Sequence, residues 1–439
     1  MTPTEAKFGP IFLSPGVSKR HVLCYLFAAA ISIGMFTFLM TLTPYILSVN
    51  LGIPAEEHGR VIGNLQFLQE IVIIACIGWW GAMSDRFGRR VIYIIGFLLM
   101  FVAYGIYSFA TSLPQLFAYR IVFALAVAAT TTNLAAILAD YPKNRSRGKM
   151  TGIAFLLNGL GAAIFFGGMS QLPRIFQDQG ADELWAVRYA YLIAAGIAFL
   201  GAIVMTGLKP GRPEGVEEKT PILQLIREGM QAGRNKRIAV SYFAAFAARA
   251  DMAIVTLFLI LWIVQVGNAA GLTPAAAQGK AGIYVAIYAL AALLWAPIVG
   301  IIADRIDKLT LTAIAFTIAA LGYGALGMST EILSMGAMAP ALVIAGIGQT
   351  STAMAIMVLL GQECPADIRG SVFGVQAFFG AIGILAISWG GGQLFDLVAP
   401  GAPFIAVATA NLLVVFSAAL CRMGELRKEP ATVTADAQS

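Results

Sequence analysis

The 439-residue chain is 59% hydrophobic and only 12% charged, with a mean hydropathy of +0.80. Soluble domains carry about 25% charged residues, so this balance excludes a water-soluble globule. The formal charge of +6 invites a nucleic-acid partner, but the placement of the charges removes that reading.

Apolar runs such as 91–111, 311–330 and 404–420 are long enough to cross a ~30 Å hydrocarbon core as helices of about 20 residues. Period-two alternation is absent, and the runs exceed the ~9–11 residues of barrel strands. The predicted fold class is therefore an all-α polytopic membrane protein. In chain order the spans are 22–48, 59–82, 91–111, 114–139, 150–171 and 187–208, then 238–266, 280–302, 309–329, 336–360, 371–395 and 401–421. The longest internal hydrophilic interval, 209–237, falls between the sixth and seventh. The expected domains are a six-helix bundle over 1–208, a cytoplasmic linker over 209–237, and a second bundle with its tail over 238–439. Within the linker, Ile222, Leu223, Leu225, Ile226 and Met230 can line one face of a surface helix, and a flexible polar linker is the other reading.

With the N-terminus inside, Arg60, Arg174, Arg188 and Lys280 lie outside and Arg120 and Arg249 lie within spans, leaving 23 of the 29 basic residues cytoplasmic. That asymmetry is the positive-inside pattern and predicts both termini in the cytoplasm. The basic excess is topological, and no nucleic acid is implied. The first eighteen residues lack the apolar core of a signal peptide. The cysteines, Cys24, Cys76, Cys364 and Cys421, suggest no disulfide framework, and the two histidines, His21 and His58, are far apart in sequence. No metal site, cofactor or catalytic constellation is expected, so no enzyme activity is either.

Between the second and third spans stands "GAMSDRFGRR", four charges between two apolar runs. The second half repeats it as "GIIADRIDK", with Asp304 in the place of Asp85. "DYPKNRSRG" is matched by "ECPADIRG", and Thr130–Asn133 by Gln349–Thr352, at nearly the same offset along the chain. Parallel six-helix repeats are a transporter signature. Gly81 and Gly88 permit a tight turn and close helix approach.

Gly81, Asp85, Arg86, Gly88, Arg89 and Arg90 together resemble the signature loop of the major facilitator superfamily, with Asp304 and Arg305 in a weaker copy where Asp307 replaces the second glycine. The resemblance extends over Lys19 to about Arg422. It implies secondary transport by alternating access, with spans one, four, seven and ten around a central cavity. It also implies that Asp85 meets the N-terminus of the eleventh helix near Ser371, and Asp304 that of the fifth near Lys149, as a releasable latch favouring the outward-facing state. A merely topogenic charge cluster would need the arginines but neither the aspartate nor the glycines.

Glu70, Arg120, Arg249 and Asp251 lie well within spans, where each central charge costs roughly 2.5–3.5 kcal/mol on insertion, so each is read as functional. Arg249 and Asp251 stand about 200° apart around their helix, so only one of them faces the cavity. Arg120 resembles an arginine that relatives tie to proton movement, although Phe123 and Ala124 follow where Gln and Gly are usual. Glu70 is its expected partner. Asp251 and Glu70 are the expected proton carriers. Arg249, Asn133, Gln349, Arg120 and Gln376 are the expected substrate-binding residues. Structural ion pairs between helices are the competing reading.

The function expected is proton-coupled secondary transport of a small organic solute, with a lean towards a carboxylate-bearing metabolite. Multidrug efflux by proton antiport is an alternative, weakened because Phe165 and Phe166 replace the Gly-Pro usual in the fifth span of antiporters. A carrier-shaped receptor that does not transport is the alternative from another class. The expected partners are a small-molecule substrate and the lipid bilayer. A monomer is the expected functional unit, and the expected location is a bacterial inner membrane.

Overall fold

The computed structural model describes residues 6–143, 146–211, 222–364 and 368–426, without the side chains of 147, 222–226, 304, 369, 370, 425 and 426. Inside a bilayer no water is available to satisfy backbone N–H and C=O groups, so the apolar segments must close their hydrogen bonds internally, as helices. Among the described residues twelve helices are long and apolar enough to span. They are Lys19–Asn50, Ala55–Phe87, Arg89–Tyr107, Leu113–Asp140, Gly148–Asp178, Glu183–Met205, Lys236–Ala269, Pro274–Ala303, Lys308–Gly327, Met335–Glu363, Ser371–Leu397 and Ala402–Gly424. They are called spans one to twelve below. At ~1.5 Å per residue they measure roughly 28 to 51 Å, and most overrun the predicted bounds because helix continues into polar flanks.

Among the described residues two spans carry π turns. In span one, Pro44 has no N–H to donate, and the helix continues through Thr43–Tyr45 into a wide π turn at Ile46–Asn50. Span seven carries its own π turn at Val255–Leu259. A short hairpin pairs Lys7–Phe8 with Ile11–Phe12. Leu13 then bridges to Pro142, beside the loop that follows span four.

The chain separates into two compact units. The first holds the residues up to Glu218 together with Leu259–Ala289, and the second holds Lys219–Phe258 and the residues from Leu290 onward. Spans seven and eight thus contribute to both.

Within the first unit spans one and five cross so closely that a Cβ on Gly161 would lie 1.6 Å from the Ala30 carbonyl oxygen. Within the second, a Cβ on Gly383 would lie 2.0 Å from the Phe246 carbonyl oxygen where spans seven and eleven cross. Gly161 and Gly383 are separated by nearly the same stretch of chain as Asp85 and Asp304, so the repeat seen in the loop motifs extends to the packing. Small residues at such crossings let backbones approach where lipid offers no hydrophobic drive. In the second unit Ala244, Ala247, Phe316, Ile356 and Val414 form an apolar core around span seven.

The linker helix forms over Ile222–Ala232. Gly229 lies against span eleven, its carbonyl accepting from Tyr242 Oη at 2.6 Å, and Ser371 Oγ donates to Glu228 at 3.1 Å. Of the residues read as its apolar face, Met230 is exposed. The side chains of Ile222, Leu223, Leu225 and Ile226 lie outside the described residues.

Candidate substrate and coupling site

Arg120 is the largest fully buried polar side chain of the first unit, 2% exposed on span four. Its Nη2 donates to Gln66 Oε1 of span two and its Nη1 to Tyr107 Oη of span three, both at a long 3.4 Å. The guanidinium carbon stands 5.6 Å from the Phe123 ring and 6.0 Å from the Tyr107 ring, so aromatic faces supply part of its stabilisation. Tyr191 stacks on Tyr107 at 5.7 Å. The hydroxyls of Tyr104 and Tyr191 are spent on the Met35 and Leu39 carbonyls of span one.

No described carboxylate lies within 4.0 Å of Arg120. Its Nε and the neighbouring Gln69 Oε1 are buried without partners. A guanidinium in a dry interior with two long bonds and no counter-ion is incompletely compensated. Chemically it is a ready receptor for a carboxylate. Gln66, Gln69 and the half-buried Glu70 follow at helical spacing on span two, placing an ionisable group one turn from the amide that holds Arg120.

Span seven separates its two charges. Asp251 is wholly buried, receiving a 2.7 Å bond from Asn411 Nδ2 of span twelve. Arg249 is exposed, its stem lying over Gly380 of span eleven, where an added Cβ would meet Arg249 Cγ at 2.7 Å. Packing thus separates the two charges: the acid is buried inside the second unit, and the base is exposed beside span eleven. Gln349 and Gln376 are half-buried in the second unit. Near Gln349, Trp295 Nε1 donates to Ser351 Oγ at 2.9 Å and Thr350 Oγ1 to the Ala292 carbonyl at 3.0 Å.

Asn133 is placed differently from the other polar groups. It is fully buried, its Nδ2 donating to the Ala129 carbonyl at 2.8 Å and its Oδ1 accepting from Ser84 Oγ at 2.6 Å. It pins span four to span two beside the charged loop. In that loop Gly88 adopts φ +96°, conformational space that a side chain rarely enters, and ends span two while opening span three. Arg89 pairs with Asp85 at 2.7 Å and with Asp140 at 3.0 Å, and also donates to Ser84. Arg86 is exposed and Arg90 half-buried, while a Cβ on Gly81 would lie 3.8 Å from Thr132.

The loop's counterpart in the second unit explains its departure from the motif. Asp307 occupies the place equivalent to Gly88, three positions after the motif aspartate in each half, but at φ −57°, where no glycine is required. Its carboxylate caps span nine, accepting from Thr310 N at 3.0 Å and Thr310 Oγ1 at 3.1 Å. It also stands 3.5 Å from Arg422 and 3.9 Å from Arg237, which pairs with Glu363 at 2.9 Å. Burial raises the Asp307 pKa, but the Thr310 bonds and the two arginines outweigh it and hold the carboxyl below its usual 3.8. Arg305 is exposed, and the side chains of Asp304, Arg147 and Arg369 lie outside the described residues.

Three glutamines absent from the sequence reading tie Leu259–Ala289 into the first unit. Gln278 Nε2 donates to the Thr41 carbonyl and Gln265 Nε2 to that of Ala55, each at 2.6 Å, and Gln171 Nε2 donates to that of Gly279 at 2.5 Å. Nothing local in the sequence marks them, since each partner is a distant backbone carbonyl.

Twelve described spans in repeated halves, with buried polar groups inside them, define an integral multi-pass membrane protein. The chain belongs to the Major Facilitator Superfamily, whose sequence model matches residues 25–388. It is similar to magnetosome protein MamZ of Paramagnetospirillum magneticum, 27% identical over 87% of this chain and 59% of that protein, so it spans little more than half of that relative's length. Magnetosome protein MamH of the same organism is 25% identical over 90% of this chain and 91% of its own. A crystal structure of the nucleoside transporter NupG shares the fold, with a TM-score of 0.71 at 12% identity over 91% of this chain and 98% of that one. A shorter likeness, 33% identity over 129 residues, reaches citrate exporter 1 of Aspergillus niger, covering 29% of this chain and 23% of the exporter.

Proposed function

We propose that this protein is a proton-coupled transporter of a small carboxylate-bearing solute, working by alternating access as a monomer in a bacterial inner membrane with both termini cytoplasmic. The observation that carries the proposal is Arg120, buried without a described counter-ion and with a free Nε–H. A cargo carboxylate supplies the missing charge in bidentate geometry. The local likeness to a citrate exporter supports an acidic cargo. Arg249, Gln349 and Gln376 are proposed as further cargo contacts in the second unit. Glu70 is proposed to take and release the coupled proton, its affinity set by whether the guanidinium held by Gln66, one turn along span two, is occupied.

Gly81, Asp85, Arg86, Gly88, Arg89 and Arg90, with Asp304 and Arg305, are proposed as the latch. Asn133 belongs with this group, because its amide holds Ser84 beside Asp85.

Neutralising Arg120 tests the proposal. An unpaired buried cation disfavours the folded protein, so Arg120→Gln is expected to keep or raise the melting temperature while abolishing uptake of labelled organic acids. A structural role predicts the reverse, a lowered melting temperature with uptake retained in the protein that folds.

A further inference from the structure

Asp251 and Asn411 form a pair with complementary unmet needs. Both side chains are 0% exposed. One bond joins them, from Asn411 Nδ2 to Asp251 Oδ1 at 2.7 Å. The two atoms left over, Asp251 Oδ2 and Asn411 Oδ1, are both buried and both without a partner. If the acid is ionised these are two acceptors, and neither can satisfy the other. If Oδ2 carries a proton it becomes the donor that Asn411 Oδ1 lacks, and the two groups close a cyclic pair with two hydrogen bonds.

The surroundings decide between these states. No described cation lies within 4.0 Å of Asp251. On its own helix the nearest base, Arg249, is exposed and lies over Gly380. Span nine offers Tyr323, whose hydroxyl donates to the Asp251 backbone carbonyl at 3.2 Å rather than to the carboxyl. Spans ten and eleven carry ionisable groups only at their ends, Glu363 and Asp396, and span twelve carries none between Ala402 and Cys421. One turn along from Asp251 and Asn411, Ala247 and Val414 pack with Phe316 in an apolar cluster. A carboxylate with no exposure, one hydrogen bond and no counter-ion bears the full cost of desolvation, whereas the neutral acid bears little.

We infer that Asp251 is held as a neutral carboxylic acid by Asn411, its Oδ2–H donating to Asn411 Oδ1, and that this closed pair fastens span twelve to span seven and keeps Asp251 out of the proton cycle. Asn411 is thus a positioning residue acting through Asp251. The inference does not depend on which solute is carried.

The test uses full-length protein purified in lipid nanodiscs, with infrared spectra and thermal melts that need no cargo. The wild-type-minus-Asp251→Asn difference should hold a protonated-carboxyl C=O band that is unchanged between about pH 5 and about pH 8. The Asp251→Asn variant keeps both hydrogen bonds as an amide–amide pair, so its melting temperature should match the wild type. Asn411→Leu strands the acid and should lower it, and the exchange Asp251→Asn with Asn411→Asp should restore it. A band in the wild-type-minus-Asp251→Asn difference that titrates within that range, or no band in that difference, overturns the inference. So does an exchange variant that melts no higher than Asn411→Leu.

Discussion

Replacing Gly161 by alanine adds one methyl group at the crossing of spans one and five. The new Cβ would lie 1.6 Å from the Ala30 carbonyl oxygen and 2.8 Å from its carbonyl carbon, whereas real Cβ contacts stay beyond 3.0 Å. The obstacle is backbone, so no rotamer change relieves it, and the helices must part by about 1.4 Å, the difference between 3.0 and 1.6 Å. Overpacking of this kind costs about 1–3 kcal/mol. Alanine also gains up to ~1 kcal/mol of helix propensity over glycine, and Gly152→Ala on the same helix, with no atom within 4 Å of its added Cβ, isolates that gain. The difference between the two variants is therefore the overpacking term alone. Thermal melting of the two purified proteins, read by size-exclusion recovery after heating, measures it. The repeat predicts the same contrast for Gly383→Ala against Gly374→Ala, the latter also with open space. A Gly161→Ala protein that melts at or above Gly152→Ala would refute the close crossing.

Asp85→Asn removes the 2.7 Å ion pair to Arg89 but leaves Arg89 its 3.0 Å pair with Asp140. The variant should fold at normal levels yet transport poorly if the loop is a latch, which reconstituted uptake per mole of protein checks. Asp307→Ala loses the cap of span nine and should cost about 1 kcal/mol near neutral pH. Because the folded pKa of Asp307 lies below its usual 3.8, its contribution is present above that value and disappears as pH falls through the lower folded pKa. The gap in melting temperature between wild type and Asp307→Ala should therefore close in acid, and a gap independent of pH would contradict the capping account. Gly88→Asp should destabilise, since φ +96° suits glycine, although aspartate serves at the equivalent place in the second unit.

The spans, the repeat and the turn at Gly88 were legible in the sequence because each rests on local rules: hydropathy over some 20 residues, one offset recurring in several motifs, and a glycine where the chain reverses. Asp307 was legible only as a departure. Its capping bonds to Thr310 and its backbone angle explain why the second loop needs no glycine there. The partners of the intramembrane charges were not legible. Arg120 is held by Gln66 and Tyr107, and Asp251 by Asn411, which lies 160 residues away. Such pairings depend on the rotation of one helix against another, which periodicity leaves open for spans apolar on nearly every side. Gln66, Gln69 and Glu70 do share a face of span two, and that spacing is the one sequence signal pointing to the surroundings of Arg120.

The central claim is proton-coupled movement of a carboxylate-bearing solute through Arg120 and Glu70. Proteoliposomes loaded with a pH-sensitive dye and challenged with pools of organic acids, sugars, amines and lipophilic cations test it directly. The account predicts proton movement with the organic-acid pool in the wild type and in Asp251→Asn, and none in Glu70→Gln or Arg120→Gln. Proton movement driven by lipophilic cations or sugars but not by acids, or full coupling in Glu70→Gln, would contradict it.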